Sequence, residues 1–362
     1  MTNVLQVVWG LHIGGAETFL YNVLSKLDAK EYHIDFVIQD PKITNKKLYK
    51  LCKKNKWKIY KVPPFNKNLF AYVKAMRMIL QKPYDVVHIH MNALINIIPV
   101  LLAYRNSKKV IIHSHNSSNN LGGKIGMVVH LINRKILNPM KISNVACSDL
   151  AGKWMFGTQE YLLLENAIDI DEYKFSEEKK NKVRKEYGIG AQILIGHVGR
   201  FVEAKNHKYI LRIFESYVHK NDAAVLMLVG DGPLKDSIVE LAENLNISDR
   251  VIFVGEKQDT KDYYSAFDCL LFPSLYEGLP FTLVEAQSSG LPVVASDNVT
   301  KEIDLTGNIQ FLSLSARMDD WISALDRRIG PVQREKCAEI MKQTKYNIES
   351  TVVAVKRLYS VQ

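Results

Sequence analysis

Two carboxylates, Glu277 and Glu285, stand eight positions apart in "SLYEGLPFTLVEAQSSG", residues 274–290. Their neighbours are small or apolar, and a carboxylate buried among such residues is costly without a partner. Glu277 sits just before Gly278-Leu279-Pro280, and Glu285 falls in the opening turns of an expected helix. Proline suits a first helical position, so the N–H groups of Phe281, Thr282 and Leu283 are expected as free donors at a positive dipole end. Upstream, "GRFVEAKNH" puts Gly199 and Arg200 directly after the apolar run "ILIGHV", with Lys205 five residues on. Arginine grips a phosphate through paired donors and lysine as a point charge. A diphosphate held by these cations and that helix would have a carboxylate on either side. Carboxylates accept readily from paired ring hydroxyls. A ribose on one side and a hexose on the other make a nucleoside diphosphate sugar.

Other strand ends carry further candidates. Gly14 and Gly15 immediately precede a helix, where a backbone approaches an anion closely. The spacing Gly10, Gly14, Gly15 is not GxGxxG, although Asp40 at the next strand end is where a dehydrogenase keeps its ribose acid. "VGDGPL" places Gly230 and Gly232 around Asp231. "HSHNSSN" puts His113 and His115 at a strand end, with His115 expected to project into a cleft. Asp169-Ile170-Asp171 has the form of a DxD metal motif, but it lies in a junction. With no other metal-ligand cluster, no metal is expected.

These residues need elements to position them. Short apolar runs recur at Val4–Trp9, Ile34–Ile38, Trp57–Val62, Val86–His90, Val110–His113, Asn144–Ala146 and Leu162–Leu164. They resume at Ile193–Val198, Ala224–Val229, Val251–Val254, Cys269–Phe272 and Pro292–Ala295. Continuous apolar runs of this length mark strands buried on both faces of a parallel sheet. Amphipathic segments such as Glu17–Leu27, Lys46–Asn55 and Leu69–Gln81 alternate with them, which predicts an α/β protein. Periodicity fades over 166–188 and the strand series then restarts. Two Rossmann-like domains are expected, over 1–168 and 169–345, with parallel sheets facing across a cleft. Ligands of open α/β sheets sit beyond the C-terminal strand ends, where the candidates lie.

Composition bounds the partners. The chain has 362 residues, 47% of them hydrophobic, enough for two cores. Cys52, Cys147, Cys269 and Cys337 show no zinc or CxxC spacing, as in a reducing cytoplasm. The longest apolar stretch, 93–104, is too short to span a bilayer, so the protein is expected to be soluble or peripheral. The net charge of +10 is uneven: residues 41–148 hold 20 Lys and Arg against Asp85 alone. Residues 41–84 hold 13 of these cations and no acid. On a helix over 46–55, Leu48, Leu51 and Cys52 face inward, and Lys46, Lys47, Lys50, Lys53 and Lys54 face out. No nucleic-acid-binding module accompanies them.

Taken in order, "GGAET", "HSHN", "ACS", "NAID", "GRFVEAKNH", "VGDGP" and "SLYEGLPFTLVEA" resemble the retaining GT-B glycosyltransferases of family four, and within it the bacterial exopolysaccharide and capsule enzymes. The resemblance implies hexosyl transfer from a nucleoside diphosphate sugar, UDP favoured, to a saccharide or lipid-linked saccharide. That sugar is a substrate, and no cofactor is implied. Glu277 would hold the donor sugar and Glu285 the ribose. Arg200 and Lys205 would bind the diphosphate, with the Phe281 and Thr282 backbone beside them. Gly14 and Gly15 would approach from the N-terminal side, and His115, rather than His113, would lie near the reacting sugar. The helix at about 346–362 would pack back on the first domain. An acceptor on a membrane lipid makes the basic 41–84 region a candidate for an anionic membrane surface, at the inner face of the cell membrane. The junction departs from the family's usual Asn-Gly-(Ile/Val)-Asp in having Ala167. A nucleotide-sugar epimerase of the same architecture and a non-catalytic scaffold subunit remain alternatives.

Overall fold

A computed structural model describes residues 1–12, 14–115, 123–277, 280–329 and 334–360. The chain divides into two compact units, Met1–Ile168 with Ile348–Gln362, and Asp169–Asn347. In the first, the apolar runs become β1 (Thr2–Val8), β2 (Tyr32–Ile38), β3 (Ile59–Lys61), β4 (Val86–Met91), β5 (Lys109–Ser114), β6 (Ser143–Ala146) and β7 (Leu162–Leu163). All pair in parallel, in the order β3-β2-β1-β4-β5-β6-β7. The chain reverses direction across the sheet between β1 and β4, which opens a crevice at their C-terminal ends.

Side chains of a strand alternate between faces, and the two faces carry separate cores. Val4, Val8, Ile34 and Phe36 pack under Phe19, Leu48, Cys52 and Val355, from the helices Gly15–Leu24, Lys46–Lys54 and Ile348–Tyr359. Leu5, Val7, Val37 and Ile112 pack on the other side against Tyr72, Met76, Val100 and Leu137, from the helices Leu69–Leu80, Ile98–Asn106 and Gly123–Leu137. The Lys46–Lys54 helix buries Leu48 and Cys52 and half-buries Leu51. Its Lys46, Lys50, Lys53 and Lys54 are exposed, and Lys47 lies over the Tyr21 ring.

The second unit holds β8 (Leu194–Val198), β9 (Val225–Val229), β10 (Val251–Gly255), β11 (Cys269–Phe272), β12 (Val293–Ser296) and β13 (Ile309–Leu312). The order β10-β9-β8-β11-β12-β13 is again parallel throughout, with its reversal between β8 and β11. The edge strand β13 was not expected. Its sequence "IQFL" interrupts the apolar run, because an edge strand needs only partial burial.

At the junction, Ala167 is buried and its carbonyl accepts from the Asn22 side chain at 3.0 Å. Ala167 is not among the residues with positive φ. The alanine therefore brings no strain, and the loop takes ordinary backbone there.

Candidate functional site

The second unit brings its candidates together at the switch point between β8 and β11. Gly199 and Arg200 leave the end of β8, and a 3₁₀ turn, Glu203–Lys205, returns Lys205 toward the sheet. The β11 loop is stitched alongside. Leu275 N–H donates to the Ala204 carbonyl at 2.8 Å, and the Asn206 amide donates to the Pro273 carbonyl at 3.1 Å. Asn206 adopts the left-handed conformation, φ 54°, which asparagine tolerates. Lys205 Nζ consequently meets Glu277 Oε1 at 2.6 Å, with both side chains largely buried, and lies 4.9 Å from the centre of the Phe272 ring. Arg200 is exposed and makes no ion pair among the described residues. Glycine is required next to this turn. A Cβ at Gly230, whose φ is +149°, would lie 2.0 Å from the Gly199 carbonyl oxygen. The protein's own backbone thus accounts for Gly230.

The helix after the loop is Phe281–Ser288, with Pro280 as its N-cap, one position earlier than expected. The N–H of Leu283 already donates to the Pro280 carbonyl at 2.9 Å, which corrects its reading as a free donor. Phe281 and Thr282 keep the backbone donors at this dipole end, and Thr282 Oγ1 donates to the Val198 carbonyl at 3.2 Å, fixing the helix to β8. Gly278 lies outside the described residues. Glu285 is half-buried and engaged. Tyr173 donates to its Oε1 at 2.9 Å and Tyr264 to its Oε2. Burial, reinforced by the adjacent carboxylate, raises both phenols well above their ordinary range, so both remain donors. Neither tyrosine was read from the sequence. Tyr173 sits in the four-residue helix Ile170–Tyr173, which begins inside the DxD string. Asp171 of that string pairs with Lys342 at 2.8 Å, so the motif serves a surface ion pair.

In the first unit, β4 and β5 lie in register with His90 opposite His113. Four histidines, His88, His90, His113 and His115, therefore share one face. Hydrogen bonds assign the proton positions of two of them, His90 and His115. Gln6 donates to the Tyr359 hydroxyl at 2.7 Å, so its carbonyl oxygen accepts from His90 Nε2 at 2.9 Å. His90 Nδ1 must then accept, and His115 Nε2 donates to it at 2.8 Å. This leaves a lone pair on His115 Nδ1, a buried atom with no protein partner. Desolvation pushes His115 and His88 down to about 3, and His90 and His113 well below their usual range, so all four are neutral at pH 7. Nitrogens of His88, His90 and His113 lie within 4.8 Å of one another. The His88 and His113 rings stack 6° from parallel at 5.3 Å. The His90 ring tilts by 31° from His88 and 37° from His113, so the three form a packed histidine cluster with the spacing of a possible metal-ligand set, one that the sequence reading did not expect.

His115 and His90 line a cavity of about 470 Å³ at the β1/β4 switch point, with Trp9, Glu17, Phe65, Asn92 and Asn96. Burial, its largest influence, raises the Glu17 carboxyl. Gly14 is the N-cap of the Gly15–Leu24 helix, and a Cβ there would lie 2.8 Å from a Glu17 carboxylate oxygen. A Cβ at Gly15 would meet only the Asn166 amide, at 4.0 Å. Asp40 pairs with His12 at 3.2 Å. The sequence signal that could have found the cluster was the second HxH, in "VHIHM", once β4 and β5 are neighbours.

Two Rossmann-like units with cations, carboxylates and a helix N-terminus gathered at a strand-end crevice define a GT-B glycosyltransferase. The comparisons agree. A family model described as "Glycosyl transferases group 1" matches residues 179–308, and "Glycosyltransferase Family 4" matches residues 13–143. EpsF of Bacillus subtilis (strain 168), named as a glycosyltransferase, is 30% identical over 99% of this chain and 96% of its own. An Escherichia coli enzyme named UDP-Gal:alpha-D-GlcNAc-diphosphoundecaprenol alpha-1,3-galactosyltransferase is 27% identical over 54% of this chain and 53% of its own. The structure of Anabaena HepE in complex with UDP and glucose is similar across 100% of both chains, with TM-score 0.78 and 18% identity. The chain belongs to glycosyltransferase family 4.

Proposed function

We propose that this glycosyltransferase moves a hexosyl unit from a nucleoside diphosphate sugar, UDP-linked by preference, to a saccharide or lipid-linked saccharide acceptor in cell-surface polysaccharide synthesis. The observation that carries the reading is the Lys205–Glu277 pair beside exposed Arg200 and the Phe281–Thr282 backbone. A diphosphate arriving there draws Lys205 away from Glu277 and frees that carboxylate for the sugar's hydroxyls. Glu285 takes the ribose, with Tyr173 and Tyr264 fixing its orientation. The UDP and glucose bound to HepE and the diphosphoundecaprenol-linked acceptor of the E. coli relative support the two substrates.

The reaction retains anomeric configuration. The acceptor oxygen bonds to the anomeric carbon as the bond to the diphosphate oxygen breaks, and that oxygen takes the acceptor's proton. Charge growing on the leaving diphosphate meets donors already in place, which is usually the largest catalytic term. Arg200, Lys205 and the helix N-terminus supply this without a metal or resident cofactor. The first unit takes the acceptor in the cavity lined by Trp9, Phe65 and His115. Basic residues of 41–84 attract the protein to the inner face of the membrane.

A thermal-shift screen of UDP-, GDP- and ADP-sugars tests the donor. A ligand at 100 times its Kd adds about 2.7 kcal/mol of stability. Labelled donor should then give a glycoside of unchanged configuration by NMR, with full activity in excess chelator. An epimerised sugar would identify an epimerase, and a metal-reversible loss would overturn metal independence.

A further inference from the structure

We propose that His88, His90 and His113 form a binding site for one divalent metal ion of the zinc type, and that the bound ion is an inhibitor rather than a cofactor. The three histidines sit on adjacent strands. His88 and His90 project from one face of β4, and His113 stands on β5 in register with His90. One nitrogen from each lies within 4.8 Å of the others, and among the described residues no other group of three ligating side chains has that spacing. Zinc–nitrogen bonds of about 2.0–2.1 Å put the nitrogens of a tetrahedral site about 3.3 Å apart, so modest ring rotations close the gap. Burial makes these nitrogens conspicuous. Elsewhere this face of the sheet carries apolar side chains such as Val4, Val8 and Ile34. Here His88 Nε2 and both ring nitrogens of His113 are buried with no protein partner. Buried polar atoms are nearly always paired, and several unpaired ones gathered in one place point to an ion or water.

The surrounding hydrogen bonds present lone pairs to the ion. His90 Nε2 donates to Gln6 Oε1, so Nδ1 is the His90 nitrogen that ligates. The Tyr359 hydroxyl accepts from the Gln6 amide and has a second lone pair. His88 Nδ1 lies 2.9 Å from it, and donation through that nitrogen leaves the His88 Nε2 lone pair free. Metal-bound histidines ordinarily donate their other ring N–H to such a partner, which fixes ring and tautomer. Gln6 on β1 and Tyr359 at the end of the Ile348–Tyr359 helix serve that purpose. Three imidazoles without a carboxylate or thiolate suit zinc, copper or nickel, whereas magnesium and calcium need oxygen ligands. Glu17, on the wall of the adjoining cavity with His90 and His115, is the carboxylate that offsets part of the charge. Binding has a consequence for His115. Its Nε2 donates to His90 Nδ1 at 2.8 Å. An ion that takes the Nδ1 lone pair breaks this bond and turns His115, which lines the cavity assigned to the acceptor. Only this inhibitory step rests on the proposed function. Metal then slows transfer, and a chelator leaves it at full rate.

The test titrates the chelator-treated full chain with Co²⁺ and Zn²⁺, without donor or acceptor, so its outcome is independent of the donor chemistry. One equivalent of Co²⁺ should give the visible absorption of a tetrahedral site, and Zn²⁺ should abolish it. Tyr359→Phe should weaken Zn²⁺ by about 10–100-fold, the range for loss of an outer-shell partner, and His88→Gln or His113→Gln by more. Imidazole ¹⁵N spectra of the unmodified chain avoid any effect of substitution on folding. Zn²⁺ should move the ring-nitrogen signals of His88, His90 and His113. Zn²⁺ should also slow transfer by the wild type and spare His88→Gln. Absence of the cobalt absorption, equal Zn²⁺ affinity in wild type and both ligand variants, or unmoved signals for these three rings overturns the site. Equal inhibition of wild type and His88→Gln overturns the inhibitory role.

Discussion

The donor site's carboxylates have different partners before any ligand arrives, and this sets what single substitutions do. On the proposed assignment, Arg200→Ala and Lys205→Ala each remove a cation from the leaving diphosphate. Each should lower kcat by about 10²-fold, by analogy with loss of one oxyanion donor. Unchanged melting curves would locate the loss in the chemistry, and near-wild-type kinetics in both would falsify the diphosphate assignment. Glu277→Gln should chiefly damage kcat and sugar selection, leaving free nucleotide affinity nearly intact. Glu285→Gln should weaken free UDP as well, and isothermal titration separates the two. The reverse pattern would mean that the two ends of the donor are interchanged. Tyr173→Phe removes one of the bonds that aim Glu285. It should raise the KM for donor several-fold with little change in kcat, because a bond to a charged group contributes about 1.5–3 kcal/mol and only part is lost on reorientation.

At the scale of elements, the basic helix Lys46–Lys54 and the helix Gly123–Leu137 cover opposite faces of the first unit's sheet. The lysines of the former act on a surface that their own face meets, because their field decays within about 8 Å at physiological salt. Each cation close to an anionic leaflet contributes about 1 kcal/mol. Reversing Lys46, Lys47, Lys50 and Lys53 to Glu is expected to weaken vesicle binding and to flatten its salt dependence. It should slow transfer to a lipid-linked acceptor and leave donor hydrolysis in solution unchanged. Sedimentation identical to wild type at low salt would return these lysines to the role of a solvated face.

For the whole molecule, buried histidines couple stability to pH. His88, His90, His113 and His115 in one unit, and His197 and His207 in the other, are neutral because burial disfavours their charged forms. Each has a lower value folded than the 6.5 of the free side chain, with His207 at about 4. The unfolded chain therefore binds more protons below pH 6.5, and stability is complete above that value and lost as pH falls toward 4. Each histidine contributes up to about 1.4 kcal/mol of loss per pH unit in that window. Melting temperature should thus drop steeply between about pH 6.5 and 5, and His88→Gln should flatten the profile. A flat melting profile across that interval would show that the histidine cluster is hydrated or otherwise compensated.

The sequence by itself determined the alternation of buried strands and helices and the placement of reactive residues at strand ends. Both follow from local period and composition, which any window of the chain carries. It also determined the family, because the motifs retain their order and spacing. Partners across long separations were decided only by tertiary structure. Glu285 receives Tyr173 from 112 positions away, and the His115 tautomer depends on Gln6 and on Tyr359, themselves 353 positions apart. The expected free N–H of Leu283 was lost to a turn at Pro280, a choice of cap geometry that the proline alone does not specify. The helix Gly123–Leu137 separates the two levels most clearly. Its residues form an amphipathic pattern, but periodicity identifies a face without saying which way it points. Packing of His130 and Asn133 against Leu94 decided that the apolar side looks outward.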